Sequence, residues 1–176
     1  MKAMQIVNFD GPASGLRYQE ASTPEPGPGQ IAVDVDHAGV GYVEALFTEG
    51  LVPIDLPWTP GLEVSGRVRA LGDGVDGYRA GDAVVALTIT GGGGYGQVAV
   101  APAELVVPLP TGLDPVLAAA VPANSTTALV ALEEIAHLRR GESVLVHAAA
   151  GGLGSQMGQV ARLLGAGRVV GVTRSE

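Results

Sequence analysis

The sequence predicts an α/β protein in which a β-rich domain precedes a strand–helix–strand unit. Three observations carry this. Up to about residue 110, short alternating apolar runs are separated by Gly and Pro turns, the pattern of a small β-barrel or sandwich. After it, the apolar period lengthens to that of helices. The closing stretch, VLVHAAAGGLGSQMGQVARLLGAGRVVGVTRSE from Val144 to Glu176, reads as strand, glycine turn, helix and second strand. The two parts are expected to be residues 1–113 and 114–176.

The elements follow in order. MKAMQIVNF, IAVDVDHAGV, LEVSGRVRAL, DAVVALT, GQVAVAP and LVVPLP read as strands. EASTPEPGPGQ is a Pro-rich surface loop, and YVEALFTEG is a short helix stopped by Gly50. TGGGGYGQ reads as a mobile loop, because four glycines in a row lose too much chain entropy in a strand. Asp114 and Pro115 have the chemistry of an N-cap and first helical residue for LDPVLAAAVP. NSTTALVALEEIAHLRRG reads as a second helix, with Arg139 and Arg140 at its C-terminal end and Gly141 as its stop. SVLVHA is a continuous apolar run suited to a parallel strand buried on both faces.

Composition narrows the function. The formal charge of −8 over 176 residues argues against a nucleic-acid or anionic-membrane surface. With no cysteine, disulfides, thiolate nucleophiles and Cys-ligated zinc are excluded. The N-terminus lacks the apolar core of a signal peptide, and no apolar run approaches the ~20 residues of a membrane span. A soluble cytoplasmic protein is expected.

The glycine turn carries the chemistry. Ala148, Gly151 and Gly154 have the spacing A-x-x-G-x-x-G, a variant of the dinucleotide fingerprint. Pyrophosphate needs a turn free of side chains and helix N–H groups pointing at it. Ala150, Gly151, Gly152, Leu153 and Gly154 are the candidate binding residues. The alternative is a tight strand–helix connection without a ligand. The second strand ends in Thr173, Arg174 and Ser175, with an acid only at Glu176. A cation and hydroxyls suit the 2′-phosphate of NADP, whereas NAD sites place an acid there. The alternative for Arg174 is a solvated surface charge.

AGVGYVEALFTEG, LPWTPGLEVSGRVRALGDGV, YRAGDAVVALT, GGYGQVAVAPAELVVPLPTGLDPVLAAAVP, TTALVAL and RRGESVLVHAAAGGLGSQMGQVARLLGA run in one order along almost the whole chain. In this the chain resembles the N-terminal half of a medium-chain dehydrogenase/reductase, in the zinc-independent branch of quinone oxidoreductases and enoyl reductases. The resemblance implies a chaperonin-10-like β-rich barrel domain followed by the first β-α-β part of a Rossmann domain. It also implies hydride transfer from NADPH to a small hydrophobic, electron-poor quinone or enone, with a homodimer expected. Zinc relatives carry G-H-E where this chain has Gly61, Leu62 and Glu63, so no metal is expected. His37, His137 and His147 are separated in sequence and read as structural.

Two departures stand out. Relatives read G-V-N, an aromatic and later an Asp; this chain reads Gly39, Val40, Gly41, Tyr42, Val43, Glu44. Gly41 replaces the Asn, which leaves Tyr42 as the candidate hydrogen-bond donor near the cleft or, alternatively, a core aromatic. In PANSTTALVAL, the resemblance places Thr127 near the nicotinamide end. Asn124 and Ser125 are either N-caps or, for Asn124 above all, cofactor contacts. The family adds further Rossmann strands and a return to the first domain. The chain therefore reads as a fragment of an enzyme of about 320 residues, or as a shortened, cofactor-free relative that binds or assembles.

Overall fold

The computed structural model describes residues 1–174. Its chain divides into two compact units, Met1–Pro122 and Ala123–Glu176. In the first, β1 (Lys2–Ile6) pairs antiparallel with β2 (Leu16–Glu20) through the short helix α1 (Pro12–Gly15). Then follow β3 (Gln30–Ala38), α2 (Tyr42–Thr48), β4 (Glu63–Leu71), β5 (Ala83–Leu87), β6 (Val98–Pro102) and β7 (Val106–Pro108). The five long-range strands form one antiparallel sheet in the order β6-β3-β4-β5-β7. Alternating Ile31, Val33, Val64, Val68 and Val84 fill its inner face, each at most 2% exposed. Each such side chain contributes about 1.5–3 kcal/mol relative to exposure.

The sheet curls because its register slips between Ala32 and Val33 and between Val35 and His37, and such bulges bend the strand that carries them. The result is a half-barrel of the chaperonin-10-like kind. Gly66 faces Asp34 across this bend, where any Cβ would strike the Asp34 carbonyl. Between 21 and 29 the chain has no regular structure, as its prolines predict.

TGGGGYGQ is a loop, as expected, but one tied down by backbone hydrogen bonds. The N–H groups of Gly92, Gly93, Gly94 and Tyr95 donate to the carbonyls of Thr88, Thr59, Gly61 and Pro60 at 2.7–3.1 Å. Met4 N–H in turn donates to the Tyr95 carbonyl at 2.9 Å. The glycines answer a need for close approach: a Cβ at Gly92 would meet Thr59 O and the Trp58 ring at 2.5 Å.

Helix α3 (Pro115–Ala118) starts as expected, with Asp114 Oδ1 accepting from Val116 N at 2.9 Å. It belongs to the first unit, since Ser65 Oγ on β4 donates to the Pro115 carbonyl at 2.7 Å. The seam between units thus lies at 122/123, later than the change of pattern at 113/114.

Helix α4 (Pro122–Leu129) runs on into a π-helical turn, Val130–Ile135. Asn124 and Ser125 lie inside α4, so they are not its caps. Its end also differs: the π turn stops at Ile135, and His137 takes a left-handed φ of 52°. Arg139, Arg140 and Gly141 lie beyond the helix. A non-glycine residue supplies the left-handed stop that was assigned to Gly141, whose own φ of 88° serves the turn into the next strand.

In the second unit, β8 (Ser143–His147) and β9 (Arg168–Val172) form a two-stranded parallel sheet across α5 (Gly152–Leu163). Ala128, Leu132, Val160 and Ala161 make its core, with Val144 and Val169 packed against them. β8 is therefore covered on one face only. Leu145, Val170 and Val172 on the other face are 59%, 37% and 44% exposed.

Candidate functional site

Two groups of candidate residues stand out, one in each unit. In the second unit the chain leaves β8 at His147 and turns through residues 148–151 into α5. Ala148 holds a left-handed φ of 51°, a conformation that costs a non-glycine residue about 1–2 kcal/mol. Strain of this kind persists where surrounding structure imposes it and gathers at ligand sites. Gly151 N–H donates to Ala148 O at 2.9 Å and closes the turn. Ser155 N–H is the first amide of α5 to find a helical acceptor, Gly151 O at 2.9 Å. The amides of Gly152, Leu153 and Gly154 have no acceptor among the described residues, and no acid sits in the first turn. Such amides favour an anion.

The glycines of this turn answer different needs. A Cβ at Gly154 would collide with the Ala148 carbonyl and lie 2.8 Å from Ala149 Cα. Gly154 is required by the fold. A Cβ at Gly151 would meet only Ala148 O, at 3.3 Å. The protein itself leaves that space open, which is what a dinucleotide cradle requires.

The structure brings several predicted residues to this turn. Ala149 N–H donates to Val172 O at 3.0 Å, so the turn sits beside the end of β9 and the exposed Thr173 and Arg174 that follow it. Ser175 and Glu176 lie outside the described residues. Asn124 also reaches the turn: a Cβ at Gly152 would be 3.3 Å from Asn124 Nδ2. Ser125 Oγ donates to Gln156 Oε1 at 3.1 Å and ties α4 to α5. Gln156 carried no signal in the sequence. Thr127 is exposed on α4, its hydroxyl donating to Ala123 O at 2.7 Å.

In the first unit, Gly41 caps α2 in extended backbone, and Glu44 Oε2 accepts from its N–H at 3.0 Å. This is half of a capping box. Tyr42 is 81% exposed at the head of the helix and is no core aromatic. Leu62 is 7% exposed and Glu63 6%. Among the described residues, no three or more of His, Cys, Asp and Glu are placed to hold a metal.

Tyr95 was missed in the sequence. Its hydroxyl is buried and has no hydrogen-bond partner. Burial, and then the carboxylates of Glu44 and Glu63, push its ionisation well above the ordinary phenol range. It therefore stays a neutral donor. The signal was an aromatic inside GGGGYGQ; a Cβ at Gly61 would lie 2.6 Å from its ring. Because the hydroxyl makes no bond, Tyr95→Phe is expected to keep or raise stability, by up to about 1 kcal/mol. Urea unfolding of the chain measures this; a clear loss of stability would mean that the hydroxyl is paired.

Residues 27–111 match the alcohol dehydrogenase GroES-like domain. The chain is 36% identical to the quinone oxidoreductase of Rattus norvegicus, covering 100% of this chain and 54% of that protein. It superimposes on the crystal structure of human synaptic vesicle membrane protein VAT-1 homolog-like protein with a TM-score of 0.92, at 35% identity over 99% of this chain and 56% of that one. A mycobacterial protein, Rv1454c, solved in complex with NADPH, gives 0.89 at 31% identity, covering 99% and 53%. The chain spans about half the length of these relatives.

Proposed function

We infer that this chain, which belongs to the medium-chain dehydrogenase/reductase superfamily in its zinc-independent branch, serves an NADPH-dependent reduction of quinones or enones. The observation that carries the reading is the turn between β8 and α5. It combines a strained Ala148, open space at Gly151, three helix amides without acceptors and a cation just beyond β9. Quinone oxidoreductases among the relatives support the acceptor class, and an NADPH complex of one structural relative supports the cofactor.

The residues present fit such a cofactor. When bound, the dinucleotide supplies a hydride. The amides of Gly152, Leu153 and Gly154 would hold its pyrophosphate, with Asn124 beside them. Thr173 and Arg174 would take the 2′-phosphate, and Ser175 is proposed with them. Thr127 is proposed at the nicotinamide end. Tyr42 is proposed to orient the acceptor by its exposed hydroxyl, with positioning and electrostatics in place of a metal.

Cofactor choice gives the test. In the full-length protein, Arg174→Asp is expected to lower the NADPH/NADH ratio of kcat/KM by about 10- to 100-fold, through loss of a charge-assisted contact. Steady-state kinetics with 1,4-benzoquinone and each cofactor measures it. An unchanged ratio would remove the NADP assignment, and absence of NADPH oxidation with any quinone or enone would remove the oxidoreductase reading.

A further inference from the structure

The polar residues near the start of α4 have a use that capping does not explain. Ser125 Oγ donates to Gln156 Oε1 at 3.1 Å. The neighbouring Asn124 lies against Gly152, whose added Cβ would be 3.3 Å from Asn124 Nδ2. We propose that Ser125 and Gln156 are positioning residues: their hydrogen bond fixes α4 against the head of α5 and so holds Asn124 over the dinucleotide turn.

Helix geometry gives the bond this leverage. Gly152, Gln156 and Val160 are spaced four apart on α5 and fall along one side of it. Farther from the turn the seam is apolar, with Val160 and Ala161 packed with Ala128 and Leu132. Apolar burial is non-directional and does not by itself fix how two helices are set. Near the turn a directional bond takes over. A single contact there would let α4 pivot about the apolar seam. The contacts at Gly152 and Gln156 stand about 6 Å apart along α5, four residues at about 1.5 Å each, and two points remove the pivot.

Asn124 depends on this tie. Its side chain makes no hydrogen bond among the described residues, so its place beside Gly152 is set by where α4 sits. Gly152 completes the pair. At 3.3 Å an added Cβ crowds the Asn124 amide, which must turn aside. The glycine at 152 thus makes room for a side chain, whereas the one at 154 is demanded by the backbone of Ala148 and Ala149.

The proposal rests on the reading of the turn as a dinucleotide site, and the test separates the two. Full-length Ser125→Ala, Gln156→Leu and Gly152→Ala are titrated with NADPH by fluorescence, and their melting is followed by circular dichroism. Each is expected to bind NADPH about three- to ten-fold more weakly, the worth of one hydrogen bond. Thermal stability should not follow affinity. Alanine is a better helix former than serine or glycine, so Ser125→Ala and Gly152→Ala keep or gain stability. Ser125→Thr retains the hydroxyl and should bind as the unaltered protein does. Ser125→Ala and Gln156→Leu break the same bond, so the double variant should be no weaker than either. With 1,4-benzoquinone the loss should fall on KM for NADPH rather than on kcat, since the turn would hold the pyrophosphate and not the reacting ring. If Gly152→Ala acts by displacing Asn124, it costs nothing further in an Asn124→Ala background. Should Gln156→Leu fail to fold, Ser125→Ala and Gly152→Ala decide. Equal loss from Gly152→Ala in both backgrounds, unchanged NADPH affinity in Ser125→Ala, or a loss shared by Ser125→Thr would each overturn the proposal and leave the cofactor site standing. Failure of the unaltered protein to bind NADPH would remove the cofactor reading, and the proposal with it.

Discussion

Gly151→Val in the full-length protein is expected to weaken NADPH binding by about 100-fold or more, equivalent to roughly 2.8 kcal/mol, while leaving the fold intact. The structure separates these effects. Gly151 has ordinary extended backbone, φ −78° and ψ 172°, so a valine there is not strained. Its Cβ would meet one protein atom, Ala148 O at 3.3 Å, a tight contact that a shift of a few tenths of an ångström relieves. The added methyls would occupy the open side of the turn, beside the amides of Gly152, Leu153 and Gly154, which have no acceptor among the described residues and are proposed to hold the pyrophosphate. Gly154→Val is the contrasting variant. There the Cβ runs into the backbone of Ala148 and Ala149, so α5 must lift away from β8 and the unit should lose its cooperative melt. Fluorescence titration with NADPH and thermal unfolding by circular dichroism read both variants. Equal NADPH affinity in Gly151→Val would show that the turn is only a connection between strand and helix.

The same turn shows what a linear reading can reach. The spacing of Ala148, Gly151 and Gly154 is local, and so is the strand–helix–strand pattern around it; both were legible. The alternating cores of β3, β4 and β5 were legible for the same reason, since period-two burial leaves its mark within one strand. β2 was not anticipated. Leu16–Glu20 has only Leu16 as a strong apolar residue, and it is held by pairing with β1 rather than by its own pattern.

Tertiary context decided the other differences. The glycine run reads as mobile until Thr59, Pro60 and Gly61, far away in sequence, are seen to accept its amides. Asn124 and Ser125 have the chemistry of caps, but Pro122 starts the helix earlier and frees them to face the turn and Gln156. The helix end at His137 escaped notice because left-handed non-glycine residues are rare and carry no motif. Tyr95 belongs with these. Only the folded chain places it beside Glu44 and Glu63, and only burial turns a surface-type hydroxyl into an unpaired donor.

The 176-residue chain by itself is expected to bind NADPH poorly and to show no hydride-transfer turnover. In doubly wound sheets the dinucleotide crosses the crevice where strand order reverses, between the first strand and a neighbour on its far side. Among the described residues β8 pairs only with β9, so that crevice has one wall. The turn can still contact the pyrophosphate, but the rest of the cofactor would be held on one side, with no geometry enforced on the reacting carbon. The open face adds a second effect. Leu145, Val170 and Val172 line it, and both sheet edges present unpaired backbone groups. Parallel sheets are stable when covered on both faces, and bare edges recruit other strands. The chain should therefore self-associate through its second unit, while the first unit, with its own antiparallel core, melts as an independent transition. Isothermal titration with NADPH, an assay with 1,4-benzoquinone and sedimentation velocity test these expectations together. Tight binding and turnover by a monomer would show that a two-stranded sheet suffices to hold and use the cofactor, and the expectation would fail on all three counts.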